Sequence, residues 1–186
     1  MLTIVILMPV FIIFILIIYV LSTYNKLVKM RNRVENQSSQ IDVELKRRFD
    51  LIPNLVEIVK GAAQHEKSVL EDVIKARSNY LAAGDTTTAA LEADSLLNNA
   101  LSRLFALMEN YPEIRANENF QSLQSELSNI EQKIVYARQF YNDAVLKLND
   151  QIDLFPSNIV AAMWNFKKES YFEARTSEKE TAQVKF

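Results

Sequence analysis

The sequence has 186 residues, 49% hydrophobic and 24% charged, with a formal net charge of -2 and a mean hydropathy of -0.05. That average hides a division, because none of the 21 basic and 23 acidic residues precedes Lys26. The lack of cysteine excludes disulfides, thiolate metal sites, a cysteine nucleophile and a lipidated cysteine; one histidine and two glycines leave no histidine-rich metal site and no phosphate-cradling loop, and the balanced charge offers no basic face for nucleic acid.

Leu2 to Leu21 is apolar all the way round. Twenty helical residues span roughly 30 Å, the hydrocarbon thickness of a bilayer. Pro9 is tolerable in such a helix, and Tyr19 and Tyr24 suit the lipid–water boundary. A cleaved signal peptide would want a basic leader and a small-residue cleavage site, and the run has neither. A retained single-pass anchor over residues 1–25 is expected. Lys26, Lys29, Arg31 and Arg33 follow the run, so the positive-inside rule puts the N-terminus outside and the following body in the cytoplasm. These four cations either only set topology or also touch anionic headgroups.

From Tyr24 onward the pattern is helical. A first amphipathic helix is predicted to about Lys60, with Leu27, Met30, Val34, Ile41, Leu45, Ile52, Val56 and Val59 inward. Its stripe is interrupted at Gln37 and Ser38. Pro53 removes one backbone donor, so the helix should kink near Phe49 or restart with Asp50 as its cap. A second helix is predicted over about 64–82, with Val69, Val73, Ala76 and Tyr80 inward, followed by a turn at Ala83, Gly84, Asp85 and Thr86. Thr87 or Thr88 would cap a third helix to Asn110, with a seam of Leu97, Leu101, Leu104, Met108 and Tyr111, stopped by Pro112.

The fourth helix, over about 118–152, has the clearest pattern. Phe120, Leu123, Leu127, Ile130, Ile134, Ala137, Tyr141, Ala144 and Leu148 alternate at spacings of three and four, a coiled-coil seam. After Pro156, Ser157 or Asn158 would cap a short helix to about Phe166. The expected fold is all-α: the anchor, an antiparallel up-down four-helix bundle over 26–155, a short amphipathic C-terminal helix over 156–172 and a polar tail over 173–186. Up-down order requires a turn at Gly61; without one, the first two helices form a single rod of roughly 90 Å.

Several blocks resemble the LemA family. They are Tyr24-Asn25-Lys26-Leu27-Val28; Gln40-Ile41-Asp42-Val43-Glu44-Leu45 running on through Lys46-Arg47-Arg48-Phe49-Asp50-Leu51-Ile52-Pro53-Asn54-Leu55-Val56; and Ala76-Arg77. Then come Glu109-Asn110-Tyr111-Pro112, Ala116-Asn117-Glu118-Asn119-Phe120, the block from Ala137-Arg138-Gln139-Phe140-Tyr141 to Val145, and Phe155-Pro156-Ser157-Asn158. The resemblance implies a bacterial inner-membrane protein with an N-terminal anchor and a helical bundle. It also implies a link to membrane organisation, through a family member that acts in magnetosome formation. It carries no catalytic residues, and His65 lacks the context of a sensor kinase.

His65-Glu66 lacks the second histidine of a zinc motif, and Glu57, Glu66, Glu71 and Glu126 lack di-iron spacing. No cofactor is expected. Lys46-Arg47-Arg48 is either a solvated face or a protein-docking patch. Arg77 and Arg138 sit beside inward alanines and could meet Asp42 or Glu44, with Gln37, Gln40 and Asn142 completing a polar core layer. Ile159, Val160, Met163, Trp164 and Phe166, then Lys167, Lys168, Tyr171 and Phe172, read as an aromatic helix with a basic edge. That helix would seal the bundle, lie on the membrane or dock on another subunit. The leading expectation is a non-enzymatic scaffold that self-associates and organises membrane or envelope complexes; its partners are the lipid bilayer and further copies of itself. The alternative is an adaptor for one membrane protein, such as a protease or transporter.

Overall fold

In a computed structural model, which describes residues 2–62, 66–82 and 87–172, the chain is all-helical, with no strand among the described residues. The elements are α1 (Leu2–Ala62), α2 (Lys67–Ala82), α3 (Thr87–Met108), α4 (Pro112–Arg115), α5 (Glu118–Asp153) and α6 (Ser157–Met163). α1 passes through Gly61 to Ala62, and Glu66 is not helical. The first and second predicted helices are therefore separate, and no single rod forms. The turn at 83–86, His65 and the tail over 173–186 lie outside the described residues; Thr87 and Thr88, the expected caps, are instead the first two residues of α3.

The chain divides into two compact units, residues 1–41 with 135–186 and residues 42–134. In the second unit, Leu45, Phe49, Ile52, Leu55 and Val59 of α1 are buried. So are Leu70, Val73 and Ala76 of α2, Leu97, Leu101, Leu104 and Met108 of α3, and Phe120, Leu127, Ile130 and Ile134 of α5. Two inward positions differ from expectation by one residue: Leu55 is buried where Val56 is half-buried, and Leu70 where Val69 is half-buried. One residue is 100° of helix, so adjacent apolar residues straddle the face and their neighbours decide which goes in.

Pro112 does not stop α3, which ends at Met108; it opens α4 from the first helical position, where its missing N–H costs nothing. Asn117 caps α5, its Oδ1 accepting from the N–H groups of Asn119 and Phe120 at 2.9 and 3.2 Å.

Pro53 produces no restart, since α1 is continuous on both sides of it and Asp50 is an interior position. A helical residue 53 would donate its N–H to the carbonyl of residue 49, and proline cannot. The freed Phe49 carbonyl accepts instead from Arg77 Nε of α2 at 3.2 Å. The Phe49 ring stacks on Tyr80, also of α2, with centroids 3.6 Å apart.

The first unit packs Leu27 and Val34 of α1 with Ala144, Val145 and Leu148 of α5 and Val160 and Ala161 of α6. α6 ends at Met163, so the expected helix over 156–172 is much shorter than its sequence pattern implied. Ser157 lies inside α6, its Oγ donating to Leu154 O at 2.8 Å. Asn165 adopts φ 55° and turns the chain out of the helix.

The segment over 167–172 then runs antiparallel to α5, pinned by two asparagines that treat it as a β-partner. Asn149 Nδ2 donates to Glu169 O at 2.9 Å and Asn149 Oδ1 accepts from Glu169 N at 3.0 Å. Asn142 repeats the pair with Phe172 O and N, at 2.9 and 2.8 Å. The spacings match: seven helical residues rise about 10.5 Å and three extended residues about 10 Å. Tyr141 adds an O–H donation to Ser170 O at 3.1 Å. Burial and then the Glu169 charge push the Tyr141 hydroxyl above its ordinary range and keep it a donor.

If Arg77 stands in for the proline's missing N–H, the two residues are energetically coupled. Arg77→Ala should cost about 1.5–3 kcal/mol, as for a charge-assisted hydrogen bond. In a Pro53→Ala background, where the helix can satisfy Phe49 itself, the cost should fall below about 1 kcal/mol. A double-mutant cycle by denaturant unfolding of the full chain in detergent measures this, and additive costs would refute the substitution.

Candidate functional site

The basic run divides on folding. Lys46 and Arg47 are exposed, with Arg47 Nη1 3.7 Å from Glu44 Oε1. Arg48 points inward and is 3% exposed. Its Nη1 lies 3.3 Å from Asp94 Oδ1, and its Nη2 donates to Asn98 Oδ1 and lies 3.7 Å from Glu131 Oε2. Asn98 Nδ2 in turn donates to Asp94 Oδ2 at 3.4 Å. The three-residue docking patch is thus corrected to two surface cations and one core cation.

The buried groups come from three helices. α1 supplies the guanidinium; Asp94 and Asn98, four apart on α3, supply one facing pair of acceptors; Glu131 of α5 closes the set from a half-exposed position. Their sequence signal was present but weak. Carrying the α3 seam back from Leu97 by three and four residues reaches Asp94 and Ala93, and Asn98 sits beside it. Arg48 lay 46 residues from its carboxylate, and its residue type reads as surface.

A cleft of about 240 Å3 opens beside this cluster, lined by Arg48, Asn98, Ser102, Gln124, Ser128 and Glu131 among others. One cation faces two carboxylates here, so the cleft offers no uncompensated positive charge to an anion. Among the described residues no group of three or more histidine, aspartate or glutamate side chains is arranged to hold a metal. What the cluster does chemically is hold three helices in register through a buried charge pair hydrogen-bonded at both guanidinium Nη atoms.

Several residues of the expected polar layer have partners within their own unit. Arg77 goes to the Phe49 carbonyl, Asn142 to the Phe172 backbone, Asp42 is exposed and Glu44 pairs with Arg47. Gln37 and Ser38 are half-buried, as the broken stripe implied, whereas Gln40 is exposed and Arg138 half-buried. Tyr111, at the end of the α3 seam, donates its O–H to Glu66 Oε1 at 3.2 Å. Its hydroxyl is pushed up by burial, then by that hydrogen bond and the Glu66 charge.

In the first unit Tyr24 and Arg31 meet the aromatic side chains that follow α6. Tyr24 is half-buried, its ring 5.2 Å from Trp164 and 6.0 Å from Phe166. The Arg31 guanidinium lies 5.7 Å from the Phe166 centroid and pairs with Glu35 at 3.8 Å. Lys168 Nζ meets Asp153 Oδ2 at 2.7 Å, and Lys26, Lys29, Arg33 and Lys167 are exposed. Before them, large side chains from Leu7 to Tyr19 form an apolar sleeve, from 38% exposed at Tyr19 to 65% at Leu7 and Met8. α1 is the one helix among the described residues that is long and apolar enough to cross a membrane. A continuous apolar surface of this size marks a membrane or partner contact.

Comparison with known proteins supplies a family. A model described as LemA family matches residues 37–186. Magnetosome protein MamQ 2 of Paramagnetospirillum magneticum is 27% identical over 180 residues, covering 83% of this chain and 66% of that protein. Magnetosome protein MamQ of Magnetospirillum gryphiswaldense is 25% identical with the same coverage. Protein LemA of Metamycoplasma hominis is 24% identical over 155 residues, covering 83% of this chain and 71% of that protein. The chain therefore spans just under two thirds of the length of the magnetosome relatives it matches.

A structural role for Arg48 predicts a steep cost for orphaning either charge. Arg48→Met or Asp94→Leu alone should destabilise the full chain by about 3–5 kcal/mol, and the double substitution by far less than the sum. Lys46→Ala and Arg47→Ala should each stay within about 0.5 kcal/mol. Denaturant unfolding in detergent followed by circular dichroism reads all of these.

Proposed function

The chain belongs to the LemA family, and from that premise we propose that it is a membrane-anchored, non-enzymatic protein that self-associates and organises membrane or envelope complexes. The apolar sleeve from Leu7 to Tyr19 carries the reading, because it is exposed on a helix that continues directly into the folded body. Each of those side chains gains about 1.5–3 kcal/mol by leaving water, and a bilayer takes them all at once. The cations from Lys26 to Arg33 favour an N-terminus outside and a cytoplasmic body. The links between successive helices are short, which favours an antiparallel up-down bundle.

Self-association is supported by what α5 leaves outside. Its long heptad seam is buried or half-buried within the chain and is not free for a partner. Tyr136 and Phe140, four residues apart, are 58% and 60% exposed and form an aromatic pair on its outer surface. Such a pair suits a second copy at a homotypic contact. The names of the magnetosome relatives agree with a role in organising membranes. The rival reading, an adaptor for one membrane enzyme, has lost Arg48 from its docking patch and keeps only Lys46 and Arg47 there.

Light scattering on the detergent-solubilised full chain should report a particle larger than a monomer, and Tyr136→Ala with Phe140→Ala should reduce its mass. A monomer in detergent that also fails to crosslink to itself in membranes would sink the assembly. Orientation has its own test, helped by the cysteine-free background. The exposed Ser78, substituted as Ser78→Cys, should react with an impermeant thiol reagent only after the inner membrane is opened. Labelling in spheroplasts with intact membranes would reverse the topology.

A further inference from the structure

The apolar sleeve of α1 has a second apolar surface beside it, at the corner between α5 and α6. Leu154, Phe155, Ile159, Met163 and Trp164 are 60%, 79%, 54%, 67% and 44% exposed. On α6, Val160 and Ala161 turn inward while Ile159 and Met163, four apart, turn outward. Two apolar faces on one short helix leave it little surface suited to water beyond Asn158.

The inward face fixes where this corner sits. Val160, Ala161 and Leu148 belong to the cluster against which Val20 and Tyr24 pack, and Tyr24 meets the Trp164 ring. Val20 lies within the charge-free run, six residues before the first charge at Lys26. Six residues rise about 9 Å along α1. A helix that crosses a bilayer sets the height of whatever is packed on it, so the corner lies where hydrocarbon gives way to headgroups. Its chemistry suits that depth. Tryptophan and phenylalanine are at home there, and the cations Lys167 and Lys168 follow at once on the chain. The nearby carboxylate of Asp153 is neutralised by Lys168.

We propose that the α5–α6 corner is a second membrane contact, seated in the interfacial region of the same bilayer that holds α1, with Lys167 and Lys168 at the headgroups. This rests on the anchor reading above. It gives the first unit a fixed tilt at the membrane surface instead of leaving it on a free stalk.

Trp164 is the only tryptophan in the sequence, so the unaltered full chain carries its own probe. The chain is reconstituted into vesicles of zwitterionic and anionic phospholipid, and Trp164 emission is recorded with lipids brominated high or low on the acyl chain. The proposal expects loss of most of the emission with bromine near the headgroup, less with bromine near the chain end, and little quenching by aqueous iodide. Met163→Glu, with helicity checked by circular dichroism, should shift emission to the red and restore iodide access. Quenching by iodide but not by bromolipid overturns the proposal. Protection from both overturns it too, because protein then covers the corner. Alkaline extraction of the same vesicles separates the two readings. If the chain stays with the lipid while Trp164 is unquenched by bromine, the corner fails and the anchor stands; if the chain is released, both fall.

Discussion

One turn and a half of α1, from Arg48 to Pro53, carries the constraints on which the second unit depends. Arg48 commits a buried charge to α3 and α5 through Asp94, Asn98 and Glu131. Phe49, one residue on, commits its ring to Tyr80 and its carbonyl to Arg77, both on α2. The carbonyl is free only because Pro53 cannot claim it. Apolar packing would let the helices slide by small amounts at modest cost. A guanidinium in a pair of acceptors and a carbonyl awaiting one donor do not permit that, because each slip strands a polar group away from water. The polar contacts thus select the register that the apolar ones stabilise.

The first unit uses the same logic with neutral groups. The segment over 167–172 leaves α6 and needs partners for backbone that no sheet provides. Asn142 and Asn149 each present a carbonyl and an amide, the complement of a backbone N–H and C=O, so a helix surface serves as the edge of a ladder. Their spacing of seven keeps both on one face of α5, and the extended segment covers the same length in three residues. These asparagines read backbone and not side chains.

How much of this was legible from the sequence follows from what each signal measures. Periodicity measures burial, so the α5 seam held along its whole length: Leu123 and Tyr141 are half-buried and the other seven positions buried. Beyond Tyr141 the buried face widens to include Val145 and Asn149, as expected when a helix of 3.6 residues per turn drifts against a repeat of 3.5. Pro53 gave up its meaning only in part. The missing donor was evident, but whether the helix breaks or a side chain fills in depends on Arg77, 28 positions from Phe49 in sequence. The end of α6 was illegible for a related reason. Lysines and aromatics from Trp164 to Phe172 fit an amphipathic helix, and two asparagines on another element decide against it. Arg48 was misread because solvation is the default for an arginine, and only the tertiary fold supplied its acceptors.

These choices determine where function can reside. The strongest polar groups of the body, Arg48, Asp94, Asn98, Arg77, Asn142 and Asn149, are turned inward and spent on holding elements together. Among the described residues, large apolar side chains stay exposed on the sleeve of α1, at the corner of α6 and at Tyr136 and Phe140 of α5. Surfaces of that kind are completed by lipid or by another protein surface. The division first visible in the composition, with charge withheld from the first twenty-five residues, therefore recurs within the folded body. Polar chemistry fixes the internal geometry, and apolar surface is left at the outside.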